Sequence, residues 1–175
     1  MKQSNHIRLS LTTPGSLQKA IDRLESYSKE LETKRQLFVK RLGEYGLKVL
    51  DVNISQISPE HKGDDIQTTL TFNDSVCIAS IIVSGQQVAF IEFGAGVLLN
   101  TAKGSSLHPK GAELGFTIGS YNPNSKNAES PYGWYYKDEN GQKHHTRGTP
   151  TFAPLHNAEM SIIDVITLVA REVFS

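Results

Sequence analysis

Between residues 17 and 45 the apolar side chains recur in alternating four- and three-residue steps. They are Leu17, Ile21, Leu24, Leu31, Phe38, Leu42 and Tyr45, with Ser28 and Arg35 in the two places left over. An α-helix puts such positions on one face. Thr13 offers a cap and Pro14 a first helical residue. The spacing predicts one amphipathic helix over 14–45, stopped by Gly43 and Gly46. From Pro14 to about Leu42, at ~1.5 Å per residue, it would run roughly 40 Å. Its narrow stripe has two uses: packing along the chain's own sheet, or a helix–helix contact between copies that resembles a coiled-coil seam interrupted by polar residues.

The remaining pattern surrounds this helix. Residues 6–11 alternate Ile7, Leu9 and Leu11 with polar residues, as a short edge strand would. Four candidate strands follow over 47–93. The first, 47–57, carries Val49, Val52, Ile54 and Ile57, with a bulge at 50–51. The second, 66–72, alternates cleanly. The third, 76–83, is apolar on both faces, as a central covered strand would be. The fourth, 88–93, is VAFIEF. Short turns between neighbours predict an antiparallel meander. Over 157–174 a second helix is predicted, capped by Asn157, with Met160, Ile163, Ile166, Val169 and Val173 as its buried stripe.

Between the meander and that helix the pattern changes. Residues 94–148 hold nine of the fourteen glycines, and 95–131 read as a long flexible loop, apart from a short strand at 114–118. Loops of that length inside a domain are uncommon and are usually functional or disordered. A hairpin over 133–146 follows, with Asn140-Gly141 as its turn signal. Extended chain over 149–154 is set by Pro150 and Pro154. The whole of 1–175 therefore reads as one α+β domain: a meander sheet covered by a long N-terminal helix and a C-terminal helix, with a large glycine-rich insertion.

Charge and composition exclude several classes. Net charge is zero, so there is no nucleic-acid signature. Its distribution is uneven: residues 1–50 hold ten Lys/Arg against five Asp/Glu, and residues 51–175 hold eight against thirteen. Such a dipole suits head-to-tail packing of copies or docking on an oppositely charged partner, and equally a solvated helix face. No apolar run approaches a membrane span. MKQSNHIRLSLTT lacks the apolar core of a signal peptide, which points to synthesis and retention in the cytoplasm. Cys77, the single cysteine, sits in an apolar run and reads as a buried small hydrophobe.

The search for chemistry narrows to Glu92. The six histidines show no metal-binding spacing, and adjacent His144 and His145 on a strand point to opposite faces, so no metal is expected. There is no nucleophile elbow, no phosphate loop, and no helix after GAGVLL to make a dinucleotide site, so no cofactor is expected. Glu92 could serve as a general acid with His108, His144 or His145 in a small hydrolase or nuclease. The aromatics Trp134, Tyr135 and Tyr136 could form a carbohydrate platform, a protein contact or a buried face of the hairpin.

The segment VAFIEFGAGV, followed by GWYYKDENGQKHHTRGTPTFAPLHNA, resembles the small tail-completion or neck proteins of long-tailed bacteriophages. These show an aromatic–hydrophobic–Glu-Phe-Gly-small-Gly segment, a glycine-rich loop, a Trp or Tyr hairpin ending in Thr-x-Gly, and a proline-containing lead into a final helix. Here those elements fall at 90–96, 134–148 and 150–158. The loop before Trp134 is longer than is usual, and Leu155-His156 stands where a bulkier pair is common. The resemblance implies a non-enzymatic virion protein made in the host cytoplasm. Its copies would form a ring that joins head to tail, between a head-closure or portal-side protein and a tail-terminator or tail-tube protein. It points to Glu92, Phe93, Gly94, Gly96, Trp134, Tyr135, Gly148, Pro150 and Pro154 as structural or interface residues. Glu92 is then expected to accept backbone N–H groups, from the glycine turn after it or from the 149–154 segment.

Overall fold

The computed structural model describes residues 14–96, 107–116, 133–137 and 140–175. The fold is α+β. In chain order it has α1 (Ser16–Ser55), α2 (Pro59–Lys62), β1 (Gln67–Asn73), β2 (Ile78–Ser84), α3 (Val88–Phe93) and β3 (Ala95–Gly96). Then come β4 (Trp134–Lys137), β5 (Lys143–Thr146), β6 (Gly148–Thr149) and α4 (Pro154–Phe174). The strand expected at 6–11 and most of the 95–131 loop lie outside the described residues.

Helix α1 runs 40 residues, ~60 Å at ~1.5 Å each. It continues straight through the two glycines expected to end it, and it absorbs the strand expected at 47–57. The glycines have another purpose. A Cβ on Gly46 would lie 2.5 Å from Ile162 Cδ1 of α4 and 2.9 Å from Ile81 Cδ1 of β2. A Cβ on Gly43 would meet Ala79 Cβ at 3.0 Å and Leu70 Cδ1 at 3.1 Å. Each glycine weakens a helix by about 1 kcal/mol relative to alanine, and here each lets α1 approach a sheet or helix closely. Beyond them Leu50, Ile54 and Ile57 are buried at helical spacing. Leu50 and Ile54 form the core with Ala158, and Val49, Ile66, Ile81, Val83 and Leu155 pack around it.

The meander reduces to one hairpin. Strands β1 and β2 pair antiparallel from Gln67↔Ser84 to Asn73↔Ile78, and among the described residues each is the other's only strand neighbour. Thr68, Leu70, Ala79, Ile81 and Val83 face inward, whereas Ile78 and Ile82 are exposed. The strand read as covered on both faces thus has one face open. Cys77 is half-buried in the turn, at φ 54°. VAFIEF is helical, not extended: Ile91 N–H reaches Gln87 O at 3.0 Å and Gly94 N–H reaches Phe90 O at 2.7 Å. The remaining sheets are also two-stranded, β3 with β6 and β4 with β5. The β4–β5 hairpin forms where expected, in register Trp134↔Thr146 to Lys137↔Lys143.

Helix α4 lies antiparallel on the second half of α1. Phe174 meets Phe38 with ring centroids 5.7 Å apart. Glu172 pairs with Arg41 at 3.3 Å, Ile162 packs at Gly46, and Pro154 O accepts from Asn53 Nδ2 at 3.3 Å. The inward stripe is Ala158, Ile162, Val165, Val169 and Val173. Met160, Ile163 and Ile166, expected inside, are exposed. The helix starts at Pro154, three residues before Asn157. The first half of α1 runs past α4: all ten residues from 21 to 30 are exposed, Ile21, Leu24 and Tyr27 among them.

Candidate functional site at Glu92

Helix α4 begins without a capping side chain of its own. Its N-cap is Ala153 and Pro154 occupies the first turn. The N–H groups of the second and third helical residues, which a Ser, Thr, Asp or Asn at the cap would ordinarily bond, belong to Leu155 and His156. Glu92 takes both from another element. Its Oε2 accepts from Leu155 N at 2.8 Å and its Oε1 from His156 N at 2.9 Å. Glu92 is 3% exposed, so these charge-assisted bonds form away from water. The carboxylate also lies at the positive end of the α4 dipole.

The opposite end of the joint is capped in return. The Ile91 carbonyl, near the end of α3, accepts from Phe152 N at 2.9 Å and Ala153 N at 3.1 Å. Thr151 Oγ1 donates to Phe93 O at 3.0 Å. Reaching both ends needs a tight reversal, and Ala153 makes it in the left-handed region at φ 50°. Asn157, expected as the cap, donates from Nδ2 to Phe152 O at 3.1 Å and steadies the same reversal. The 149–154 segment was expected to supply donors to Glu92. Its Phe152 and Ala153 donors go to Ile91 O, and the carboxylate bonds the two residues just beyond the segment.

His108 closes the site. Its Nε2 lies 3.1 Å from Glu92 Oε1, and its Nδ1 accepts the Lys110 backbone N–H at 3.1 Å. A neutral ring in that setting carries its proton on Nε2 and donates it to Glu92. The ring stands edge-on to Phe93 at 4.6 Å and to His156 at 5.0 Å. Phe116 stacks on Phe93 at 4.6 Å. One carboxylate thereby fastens three pieces of chain: α3, the start of α4, and residues 107–116.

The structure brings most of the sequence candidates to this joint. Glu92, Phe93, Gly94 and Gly96 lead out of α3, and Pro154 is buried opposite them. Gly148 in β6 pairs with Gly96 in β3. At φ 94° any Cβ on Gly148 would overlap the Ala95 carbonyl, so the contact requires glycine there. Pro150 follows half-buried. Tyr135 and Tyr136 belong to the separate β4–β5 hairpin, as does the backbone of Trp134. Tyr135 is 73% exposed and packs across the strand on His145 at 4.9 Å, while Tyr136 stacks on His144 at 5.4 Å. His144 and His145 therefore occupy opposite faces of a hairpin that does not include Glu92, which lies in α3. The sequence reading missed Ala153, Phe116 and the position of His156. Pro154 carried a usable signal, because proline favours the first helical position and so places the next two N–H groups in need of an acceptor.

The chain matches no protein-family model, no curated protein and no solved structure. Function is therefore argued from the geometry. Among the described residues no group of His, Cys, Asp or Glu is arranged to hold a metal ion, and no helix is long and apolar enough to cross a membrane. A cleft of about 330 Å³ between α1 and the β1–β2 turn, lined in part by Lys40, Phe72, Asp74 and Cys77, shares no residue with the Glu92 joint.

Proposed function

We propose that this chain is a structural component of a tailed bacteriophage or prophage particle, a neck or tail-completion protein without enzymatic activity. Its copies close into a ring. The ring joins head to tail, between a head-closure or portal-side protein and a tail-terminator or tail-tube protein. The observation that carries this is the stretch 21–30 of α1, exposed among the described residues. Ten consecutive exposed residues with a continuing apolar stripe make a poor solvated arm and a good contact surface. The open outer face of the β1–β2 hairpin, with Ile78 and Ile82 exposed, adds a second such surface. The buried carboxylate supports the same reading, because both its oxygens are engaged by the chain's own N–H groups.

One contact favours the hydrolase alternative: Glu92 does pair with a histidine, His108. The experiment treats both. Particles from a producing host are purified, and the chain is quantified in them by mass spectrometry. Its gene is then deleted. The proposal expects a fixed multiple of copies per particle, and unjoined heads and tails on deletion. Intact, infectious particles without the chain would refute it. Turnover in a hydrolase screen that is lost in both Glu92→Gln and His108→Ala would establish the enzyme instead.

A further inference from the structure

We propose that the exposed half of α1 in one copy seats on the outer apolar face of α4 in the next copy. This names the interface of the assembly proposed above and rests on that assembly.

Helix α4 is apolar on two sides. Its inner side meets α1 of the same copy. Its outer side carries Met160, Ile163, Thr167 and Ala170 at steps of three and four, with Ile166 beside them, and ends at Phe174, which packs on Phe38 of the same copy and is still 42% exposed. Ile163 is 52% exposed, and Met160, Ile166 and Phe174 are also open to solvent. A helix apolar on two sides is built to lie between two neighbours, and the described chain supplies one.

The exposed half of α1 offers the matching surface. Leu17, Ile21, Leu24 and Leu31 continue, at the same four-three spacing, the line on which Phe38 and Gly46 receive α4. Leu17 is 66% and Leu24 55% exposed. From Leu17 to Leu31 is fourteen residues, and from Met160 to Phe174 is also fourteen. Each stripe therefore extends ~21 Å at ~1.5 Å per residue.

Charge selects the pairing. Residues 16–35 carry Lys19, Arg23, Lys29, Lys34 and Arg35 against Asp22, Glu25, Glu30 and Glu32, a balance of +1. Helix α4 carries Arg171 against Glu159, Asp164 and Glu172, a balance of −2. Glu172 is already paired with Arg41 of the same copy, which leaves Glu159 and Asp164 against Arg171, a balance of −1; placing α4 on α4 would bring like signs together, whereas α1 on α4 opposes them. The wider division points the same way, with residues 1–50 at +5 and residues 51–175 at −5. Because the two stripes differ, each copy gives one and receives the other, which is the heterologous contact that closes rings.

The test is cross-linking between two preparations, both carrying Cys77→Ser. One adds Leu24→Cys and the other Thr167→Cys, the midpoints of the two stripes. They are mixed at increasing concentration, gently oxidised and mapped by peptide mass spectrometry, with native mass measured in parallel. The expected result is a Leu24–Thr167 position bridge in the mixture, at least about tenfold above any bridge formed by either preparation alone. Multimers by native mass whose bridges join like positions, or that form no bridge, would overturn this interface and leave the assembly proposal standing. A Leu24→Cys, Leu9→Cys chain that bridges within itself while staying a monomer would also overturn it, since the arm would then be covered from within. A single-copy mass at every concentration would do the same, and particle composition would then decide the assembly proposal separately.

Discussion

Glu92 and His156 stand 64 residues apart in the chain, and the Glu92 carboxylate accepts the His156 backbone N–H at 2.9 Å. With Leu155 N and His108 Nε2, that brings three donors to two oxygens. The start of α4 is therefore held by a residue from a different helix.

Glu92→Gln keeps one acceptor oxygen and turns an NH2 group toward a second donor. We expect a loss of about 2–3 kcal/mol, from a buried donor left unpaired and the lost charge. Urea unfolding reads it as a lower midpoint at unchanged slope. An unchanged midpoint would show that the carboxylate does not hold the joint.

His108→Ala removes one of the three donors and the ring that rests on Phe93. The two backbone bonds to Glu92 survive, so a smaller loss of about 1–2 kcal/mol is expected. Hydrogen exchange should quicken in residues 107–116 before it changes in α1. Equal quickening throughout α1 and α4 would contradict a local fastening.

Much of the misreading of the first half of the chain comes from Gly43 and Gly46. In sequence they look like a helix stop, and the apolar residues after them then fall into strand-like groups. The sequence does not state that Ile162, 116 positions later, will press on the same backbone. Hence 47–57 was read as a strand, although Leu50, Ile54 and Ile57 also fit a helical step. VAFIEF failed for a related reason. Its alternation suits a strand, but the segment folds as a short helix that buries Ile91 and Glu92 and ends at Gly94, and it is the distant start of α4 that engages them. The α+β class, the β4–β5 hairpin and the C-terminal helix were legible because of local signals: Asn140-Gly141 for the hairpin, and sustained apolar spacing for the helix, although its start at Pro154 in place of Asn157 was not. The importance of Glu92 was legible as a lone carboxylate among apolar residues. Its partners were not, because they meet it only through the fold.

Gly46→Ala tests the close-approach account. Helix propensity alone would make it stabilising by about 1 kcal/mol. The added Cβ would press on Ile162 and Ile81 side chains, and overpacking of that kind costs typically 1–3 kcal/mol. We expect net destabilisation of up to about 2 kcal/mol by urea or thermal unfolding, whereas Leu17→Ala on the exposed arm should stay within ~0.5 kcal/mol. A more stable Gly46→Ala would remove the packing explanation.

Ala153→Gly probes the reversal between α3 and α4. A non-glycine residue in the left-handed region is strained by roughly 1–2 kcal/mol, and glycine loses about 0.5–1 kcal/mol through its freer unfolded state. A small gain, about 0.5 kcal/mol, is expected in the unfolding midpoint. Marked destabilisation would mean that the Ala153 methyl group packs in a way that outweighs its backbone geometry.

A helix anchored along its second half and exposed over residues 21–30 behaves as a gauge. In α1, removing one residue between Leu31 and Phe38 would swing the free stripe by about 100° around the axis, whereas removing seven would shorten the reach by ~10 Å and nearly restore its bearing. The span and aim of the arm are thus written into a residue count, and a chain altered there by a single deletion would fold normally while pointing its grip the wrong way.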